Sequence, residues 1–454
     1  MKKTNIDMTK GHMMPLILKF AIPVVFANIL QMLYGLADTW VVGNFCDDAA
    51  LAAIGTSSQP VEIVLCIFLG LGSGVSILVS QAAGQHDDER VKRVVSTATT
   101  FLYVVAIPLT FIGFLVSPAL LTLMQTPQSA YDYALAYIRI IFLGTVAQMG
   151  YNMNAGILRG LGDSISSLVF LIISSILNVG LDLLFTIVFG MGVTGVAIAT
   201  VIAQFVSWFS SMVYLKVVYK KVDYSPLIRK IDKQLLIGEM KIGFPLGFNT
   251  SIYSVGHLLM QTVINMQGDS FAAATTVATK ITGMAIIGTT AFSQAAMTYS
   301  GQNYGARDLE RLKRGSLRIP LFSGLINLVA GAIVCLLARQ IAYLFNDNEV
   351  IVDYAVRYVR VVLPFYWCYA VFNGIINYVH GVGDIVYPTI INIAVLWGIR
   401  IPAAFILNAA GLGTWCMAGI SLSFVCGMIG MMFYYTTKRW KRLVDGTPVP
   451  SHDR

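Results

Sequence analysis

The chain has 454 residues, of which 56% are hydrophobic and only 12% are charged, against about 25% charged in an ordinary soluble protein. So few polar side chains cannot cover a soluble fold of this length, and the composition also excludes a disordered or fibrous chain. The formal net charge of +8 is carried mostly by short breaks between apolar runs, so we expect no nucleic-acid partner.

Twelve apolar runs follow one another along the chain. Each can cross a bilayer core of about 30 Å as a helix of about 20 residues, and within lipid a helix satisfies its own backbone hydrogen bonds. The runs are 15–43, 50–80, 95–122, 132–158, 164–189, 193–217, 236–265, 271–299, 316–338, 352–379, 386–408 and 413–436. The sequence therefore predicts an all-α integral membrane protein with twelve transmembrane helices.

Basic residues are concentrated in alternate loops and in the C-terminal tail, whereas the intervening loops are mainly acidic. The basic residues are Arg90, Lys92, Arg93, Lys220, Lys221, Arg229, Lys230, Lys233, Arg307, Arg311, Lys313, Arg314, Lys438, Arg439, Lys441 and Arg442. Because basic loops remain on the cytoplasmic side, the pattern predicts a multi-pass protein of the plasma (inner) membrane with both termini in the cytoplasm. We expect its basic loops to contact anionic membrane lipid.

The second half of the sequence repeats the first. The segment QAAGQHDDERVKR at 81–93 matches QNYGARDLERLKR at 302–314, and the offset of 221 residues recurs along both halves. A constant offset indicates duplication, and six helices in each half give the two bundles the same orientation. The predicted domains are an N-terminal six-helix lobe (1–217), to which we assign a cation site, a cytoplasmic linker (218–235), a C-terminal six-helix lobe (236–437) and a cytoplasmic tail (438–454).

Two carboxylates within apolar helices of the first half have no counterpart in the second. In the first helix the offset is 222, as Pro23 and Pro245 show, and there Asp38 aligns with Met260; Asp182 aligns with Ala403 at the offset of 221. Ionisable groups are costly inside a bilayer, so unmatched ones indicate a functional site. The alternative is that both aspartates pair with arginines or cap kinks.

Two further oxygen-bearing side chains lie at a similar depth. Asn178 precedes Asp182 by one helical turn, and Thr200 lies on the next helix, at roughly 9–12 Å from the outer membrane face for the whole set. Carboxylate, amide and hydroxyl oxygens suit Na⁺, while buried carboxylates can also carry protons. The sequence thus predicts a cation-binding site of Asp38, Asn178, Asp182 and Thr200, with the choice between Na⁺ and H⁺ left open.

The first apolar run carries a polar stripe. Asn28, Gln31, Tyr34 and Asp38 recur at spacings of three, three and four, which places them on one helix face toward the bundle interior or a wet cavity. We expect Gln31 and Tyr34, together with Asn154, to line a substrate cavity. No role is assigned to the other singular polar groups, which are Glu62, His257, Lys280 and Arg400.

Two short motifs could suggest an enzyme. GLGD at 160–163 and GVGD at 381–384 fit the pattern of intramembrane aspartyl proteases, but both repeats carry the motif at a loop-to-helix junction. There glycine permits a tight turn and aspartate caps a helix. Walker A, HExxH and GxSxG motifs are absent from the sequence, so we expect neither an enzyme nor a cofactor beyond a coupling ion.

Taken together, the sequence resembles the multidrug and toxic compound extrusion (MATE) family, and most closely its branch named after a DNA-damage-inducible protein. The resemblance rests on the two halves, Pro23, the RGLGD turn at 159–163, the basic QxxGxxDxERxKR loops and the Asn178–Asp182–Thr200 set. It implies a cation-coupled antiporter that exports organic, cationic or amphiphilic compounds by alternating access, with the ion bound by Asp38, Asn178, Asp182 and Thr200. We expect the transporter to be a monomer.

Other functions remain as alternatives. A related flippase for lipid-linked oligosaccharide or polysaccharide precursors would need a cationic cavity for pyrophosphate, which Lys280 and Arg400 could serve but Asp38 and Asp182 oppose. A membrane-embedded enzyme would need a catalytic pair, for which only His257 and Glu62 are available, without a motif. In the family other members use acidic residues in the seventh and tenth helices, and those helices here have no central carboxylate.

Overall fold

A computed structural model describes residues 5–124, 126–219, 222, 224 and 231–437, without the side chains at 48, 52, 56, 58–68 and 285. Within that part the regular structure is helical throughout. Half of the predicted linker, all of the predicted tail and the side chain of Glu62 lie outside the described residues.

The first repeat forms seven α-helices, of which two make up one predicted run. They are α1 (Met13–Phe45), α2 (Asp48–Gly84), α3 (Asp88–Leu123), α4 (Gln128–Leu143), α5 (Thr145–Gly160), α6 (Ser164–Leu183), which continues as a π-turn (Leu184–Val188), and α7 (Gly192–Val218). The second repeat follows the same plan with more interruptions. Its helices are α8 (Lys233–Asn265), α9 (Asp269–Gly305), α10 (Leu309–Leu336), α11 (Ala338–Tyr343), α12 (Glu349–Val362), α13 (Tyr366–Gly381), α14 (Val386–Val395), a π-turn (Leu396–Arg400), α15 (Ile401–Ala409) and α16 (Ala418–Thr436).

All twelve predicted apolar runs are helical. Eight helices in the described part are long and apolar enough to cross a membrane, and ten if each of two bent pairs is one span. Helices α2 and α8 complete the set of twelve by their place in the repeat. The chain thus has the predicted all-α fold of twelve transmembrane helices in two repeats.

The helices pack into two compact units. Among the described residues, unit 1 runs through Asp7 and from Ile22 to Phe248, and unit 2 takes Met8–Ala21 and continues from Asn249. The first helix of each repeat is therefore divided between units close to its internal proline, Pro23 in α1 and Pro245 in α8. The predicted lobes at 1–217 and 236–437 are defined by the sequence duplication, whereas the two units are defined by which helices pack together.

The GxGD motifs form turns in both repeats. Gly162 and Gly383 have φ values of 85° and 98°, in the left-handed region that favours glycine. Asp163 is the N-cap of α6 and accepts a hydrogen bond from the Ser166 amide at 3.0 Å, which confirms the capping prediction. Asp384 lies one residue before the N-cap of α14 and accepts a hydrogen bond from the Tyr434 hydroxyl.

One predicted run in each repeat is broken rather than continuous. Helices α4 and α5 meet at an angle of 49° beside Gly144, where an added Cβ would approach Val201 Cγ2 to 2.5 Å. The corresponding break between α12 and α13 is a 3₁₀ turn containing Pro364, whose ring cannot continue a helix without distortion. The single helix predicted over 132–158 is therefore corrected to a bent pair, whereas the span predicted over 352–379 remains a single span, Glu349–Gly381, that passes through the 3₁₀ turn.

Candidate cation and substrate site

Three helices of unit 1 bring the four predicted cation ligands together. Asp38 comes from α1, Asn178 and Asp182 from α6, and Thr200 from α7. Asp38 is 7% exposed, and both Asn178 and Asp182 are 0% exposed. The π-turn that begins at Leu184 directly follows Asp182, and such wide turns often occur at functional sites.

Hydrogen bonds connect the four side chains. The Thr200 hydroxyl donates to Asp38 Oδ2 at 3.3 Å. With its amide nitrogen facing the two carboxylates, Asn178 donates to Asp38 Oδ1 at 2.9 Å and to Asp182 Oδ2 at 3.3 Å. This orientation is assigned from the hydrogen-bond network, because the opposite one would set the amide oxygen against carboxylate oxygens, which cannot donate to it. Asn178 therefore bridges the two acids.

One oxygen of the acidic pair has no hydrogen-bond donor among the described residues. The two carboxyl groups share the Asn178 amide as a hydrogen-bond donor, and Asp182 Oδ1 is a buried oxygen without a hydrogen-bond partner in the described part of the chain. Two adjacent buried carboxylates are costly unless they share a proton or hold a cation between them. The arrangement is thus chemically suited to bind either a proton or a small hard cation.

The alternative that these aspartates serve as partners for basic side chains finds no support. The ion pairs among described residues involve neither Asp38 nor Asp182. Arg139, a basic residue within the fourth apolar run, instead lies over the Phe114 ring at 4.8 Å.

A cavity of about 440 Å³ opens beside the acidic pair within unit 1. All four members of the α1 stripe, Asn28, Gln31, Tyr34 and Asp38, line it, as the spacing predicts. Thr200 also lines it. Gln31 and Tyr34 therefore occupy the position expected of substrate-cavity residues.

Asn154 does not share that position, which corrects the expectation for this residue. It is 0% exposed, its side-chain amide donates to the Ser211 hydroxyl at 2.9 Å, and the cavity lining does not include it. The bend before α5 directs Gln148, Asn152 and Arg159 to the cavity, so Asn154 on another face of the helix packs against α7.

The cavity lining also includes side chains that are not among the sequence-predicted site residues, and Tyr137, Arg159 and Gln204 are three of them. Gln204 lies one turn after Thr200 on α7, so helix periodicity could have identified it. Its Oε1 atom is buried without a hydrogen-bond partner among the described residues. Arg159 belongs to the RGLGD motif. Because that motif was interpreted as a turn, the sequence did not indicate that Arg159 lies at the cavity.

Unit 2 is apolar where unit 1 has its acids. Met260, the counterpart of Asp38, belongs to a buried hydrophobic cluster that also contains Leu396 and Ala404. Ser421, the counterpart of Thr200, gives its hydroxyl hydrogen bond to the Val361 carbonyl at 2.8 Å. The described part of unit 2 thus lacks an equivalent of the acidic site.

Unit 2 contains a buried basic residue. Arg400 is 6% exposed and donates from Nε to the Ser423 hydroxyl at 3.0 Å and from Nη1 to the Tyr253 hydroxyl at 2.6 Å. The Tyr253 ring in turn contacts the His257 ring at a centroid distance of 5.1 Å. Lys280 lies apart from this group, with Nζ 5.8 Å from the centre of the Phe345 ring.

Two copies of a six-helix bundle, one of which has buried carboxylates beside a cavity, have the architecture of a membrane transporter. The MatE family model matches the chain twice, over residues 23–184 and 245–406. The chain belongs to the MatE family, as the sequence resemblance indicated.

Relatives of known name agree with this assignment. The chain is 28% identical to "Probable multidrug resistance protein YoeA" of Bacillus subtilis, over 93% of each chain. It is 24% identical to "DNA damage-inducible protein F" of Escherichia coli, over 77% of each chain. Its fold is similar to that of "Crystal structure of MATE in the bent conformation", with a TM-score of 0.90 and 23% identity over 98% of this chain and 99% of that one.

Proposed function

We propose that the chain is an antiporter that exports organic, cationic or amphiphilic compounds and is driven by inward movement of Na⁺ or H⁺. The observation that carries this proposal is the pair of buried carboxylates, with the partnerless Asp182 Oδ1, beside a cavity of about 440 Å³. Relatives named as multidrug resistance proteins support the class of substrate.

In this mechanism the ion and the substrate use adjoining parts of unit 1. An ion from outside neutralises Asp38 and Asp182. The Thr200 hydroxyl oxygen completes the set around it, together with the Asn178 oxygen once that amide turns away from donating to the two acids. Neutralising Asp38 removes a negative charge from the cavity wall, which weakens the hold on a cationic substrate. The ion can shift the conformational equilibrium only by its differential affinity for the two states, so alternating access requires the acidic pair to be more accessible or better organised in one of them.

The available energy is sufficient for export. One charge that crosses 100 mV releases about 2.3 kcal/mol, which corresponds to roughly a fifty-fold substrate gradient. We further propose that both termini and the basic loops are cytoplasmic, that those loops contact anionic lipid, and that the chain acts as a monomer in the plasma membrane.

The test is flux in proteoliposomes with pH and Na⁺ gradients imposed separately. We expect ethidium to be expelled against its gradient under one of the two ion gradients, and the effective gradient identifies the coupling ion. Vesicles without the protein are the control. Ethidium flux that is independent of both gradients, or movement of a lipid-linked sugar in its place, would contradict the proposal.

A further inference from the structure

We propose that Glu239 is a second proton-binding site of unit 1, separate from the acidic pair, and that its neutral carboxyl is a site of modification by hydrophobic carbodiimides. Glu239 lies on α8, upstream of Pro245, and the proposed export mechanism does not use it. The inference therefore stands or falls independently of the antiport.

A small apolar cavity lies beside the Glu239 side chain within unit 1. Its volume is about 30 Å³, and α2, α3 and α5 contribute apolar residues to its wall, among them Val75, Phe101 and Met153. Met149 belongs to this wall and also to that of the larger cavity, whose lining does not include Glu239. The two cavities are therefore neighbours, and Glu239 belongs to the smaller one.

The Glu239 carboxyl group lacks a compensating partner in the described part of the chain. The residue is 3% exposed, its Oε1 atom has no hydrogen-bond partner, and the ion pairs do not involve it. A charge that acts on it is that of Asp232, just before α8, and this charge has the same sign. A cavity of this size has room for one or two water molecules, but its other side chains offer them no hydrogen-bond donor.

Packing of α8 keeps the acid inside. The helix lies backbone to backbone on α2, because a Cβ added at Gly74 would be 2.9 Å from Gly243 Cα and 3.3 Å from the Glu239 carbonyl oxygen. Burying an ionised carboxylate without a partner is far more costly than burying the neutral acid. A bound proton therefore takes the place of a counter-ion at Glu239.

The surroundings of Glu239 favour a proton over a metal cation. Next to Asp38 and Asp182, the amide of Asn178 and the hydroxyl of Thr200 supply further oxygens, which suit a hard cation. The side chains that line the smaller cavity with Glu239 contain no oxygen. The two acidic sites of unit 1 thus differ in the ion that they can hold.

A neutral acid in an apolar cavity can react with dicyclohexylcarbodiimide, which dissolves in lipid. The cavity wall is half-buried at Leu71, Phe101 and Val105, and the flexible side chains of Met149 and Met153 can adapt to the reagent. In the reaction the carboxyl proton passes to one carbodiimide nitrogen and the carboxyl oxygen bonds to the central carbon. The acyl group then shifts to nitrogen and gives a stable N-acylurea, so that nothing leaves and no other reactant is consumed.

The first test compares two reagents on the full-length chain in proteoliposomes at pH 7, with the modified residues identified by peptide mass spectrometry. Dicyclohexylcarbodiimide should form an N-acylurea at Glu239 and not at Glu310, an exposed glutamate of α10. A water-soluble carbodiimide with glycine ethyl ester should couple the amine to Glu310 and not to Glu239, because it reaches exposed acids. The Glu239 adduct should also form in Asp38→Asn/Asp182→Asn, which separates this site from the acidic pair.

The second test measures the proton through thermal melting in detergent between pH 6 and pH 9. Unfolding exposes Glu239 to water, where a glutamate is ionised throughout this range, so the folded chain holds a proton that the unfolded chain loses. The melting midpoint of the wild type should therefore fall with rising pH more steeply than that of Glu239→Gln, whose amide does not ionise. Glu310→Gln is the matched control and should follow the wild type.

Amine coupling to Glu239, absence of its N-acylurea, or the same pH dependence of melting in the wild type and in Glu239→Gln would each overturn this inference. If Glu239→Gln does not fold, the labelling pattern of the wild type decides the matter. Neither test uses a substrate or an ion gradient. Failure of ion-driven ethidium flux would therefore remove the proposed antiport and leave the Glu239 site in place.

Discussion

The two units share a scaffold but bury opposite charges. Unit 1 joins Asp38 and Asp182 through the Asn178 amide beside a cavity, whereas unit 2 puts Met260 in an apolar cluster and buries Arg400 among neutral partners. The turns that precede α6 and α14 share a positive φ, at Gly162 and Gly383. Duplication thus accounts for the shared scaffold, and among the described residues the pair of buried acids belongs to unit 1.

The contrast also explains how unit 2 tolerates a buried cation. The Arg400 guanidinium lies over the Tyr253 and Phe424 rings at 5.4 and 5.2 Å, and cation–π contacts of this kind stabilise a charge removed from water. The π-turn at Leu396–Arg400 ends two residues before Pro402, whose missing N–H prevents regular hydrogen bonding there. Arg400 is therefore part of the packing of unit 2.

The largest effect is expected from neutralising the acids of unit 1. Asp38→Asn and Asp182→Asn should each abolish ion-coupled efflux while the protein still reaches the membrane, because the amide does not take up a proton near neutral pH and has no negative charge to compensate that of a cation. Efflux of ethidium from energised cells measures this. Asp353→Asn, the same change at an exposed carboxylate of unit 2, is the matched control and should retain wild-type efflux; wild-type efflux from either unit 1 variant would refute the assigned site.

A smaller effect, and one on stability rather than coupling, is expected in unit 2. Arg400→Gln removes two hydrogen bonds and two ring contacts, which should lower the free energy of unfolding by about 1–3 kcal/mol, measured by denaturant titration in detergent. The same change at exposed Arg357, which stacks on Tyr354 and Trp415, should cost less. Loss of ion dependence in Arg400→Gln would mean that unit 2 takes part in coupling.

Substitution of the turn glycines should destabilise both units, although not equally. Gly162→Ala and Gly383→Ala each force an L-residue into the left-handed region, at a cost of about 1–2 kcal/mol. Gly162→Ala should be the more harmful, because its Cβ would lie 2.2 Å from the Ile6 carbonyl oxygen. Thermal melting of both variants checks this, and an unchanged midpoint for either would show that its turn can relax.

The smallest effect is expected at the surface, where the units differ again. Arg339 in unit 2 pairs with Glu349 at 2.9 Å and Asp353 at 3.1 Å, while the aligned position in unit 1 is Pro118. Arg339→Gln should lower the melting midpoint slightly at low ionic strength and not at 1 M salt, where exposed charges are screened. A large loss that persists at high salt would indicate a structural role beyond this ion cluster.

Most of the fold and the acidic site could be predicted from the sequence, for physical reasons. Long apolar runs must be helices in lipid, and the offset between repeats exposes Asp38 and Asp182 as unmatched charges. The bends are harder to predict, since the α4–α5 break depends on contact with Val201 on another helix. That break sets the phase of α5, which is why Arg159 faces the cavity and Asn154 faces Ser211.

The central claim is that each chain holds one coupling ion and that unit 1 holds it. The direct measurement is the number of ions bound per purified chain, by ²²Na⁺ binding and by proton release on addition of substrate at pH 7. We predict one ion for the wild type and for Arg400→Gln, and none for the double variant Asp38→Asn/Asp182→Asn. Two ions per wild-type chain, or one ion still bound by the double variant, would contradict the account.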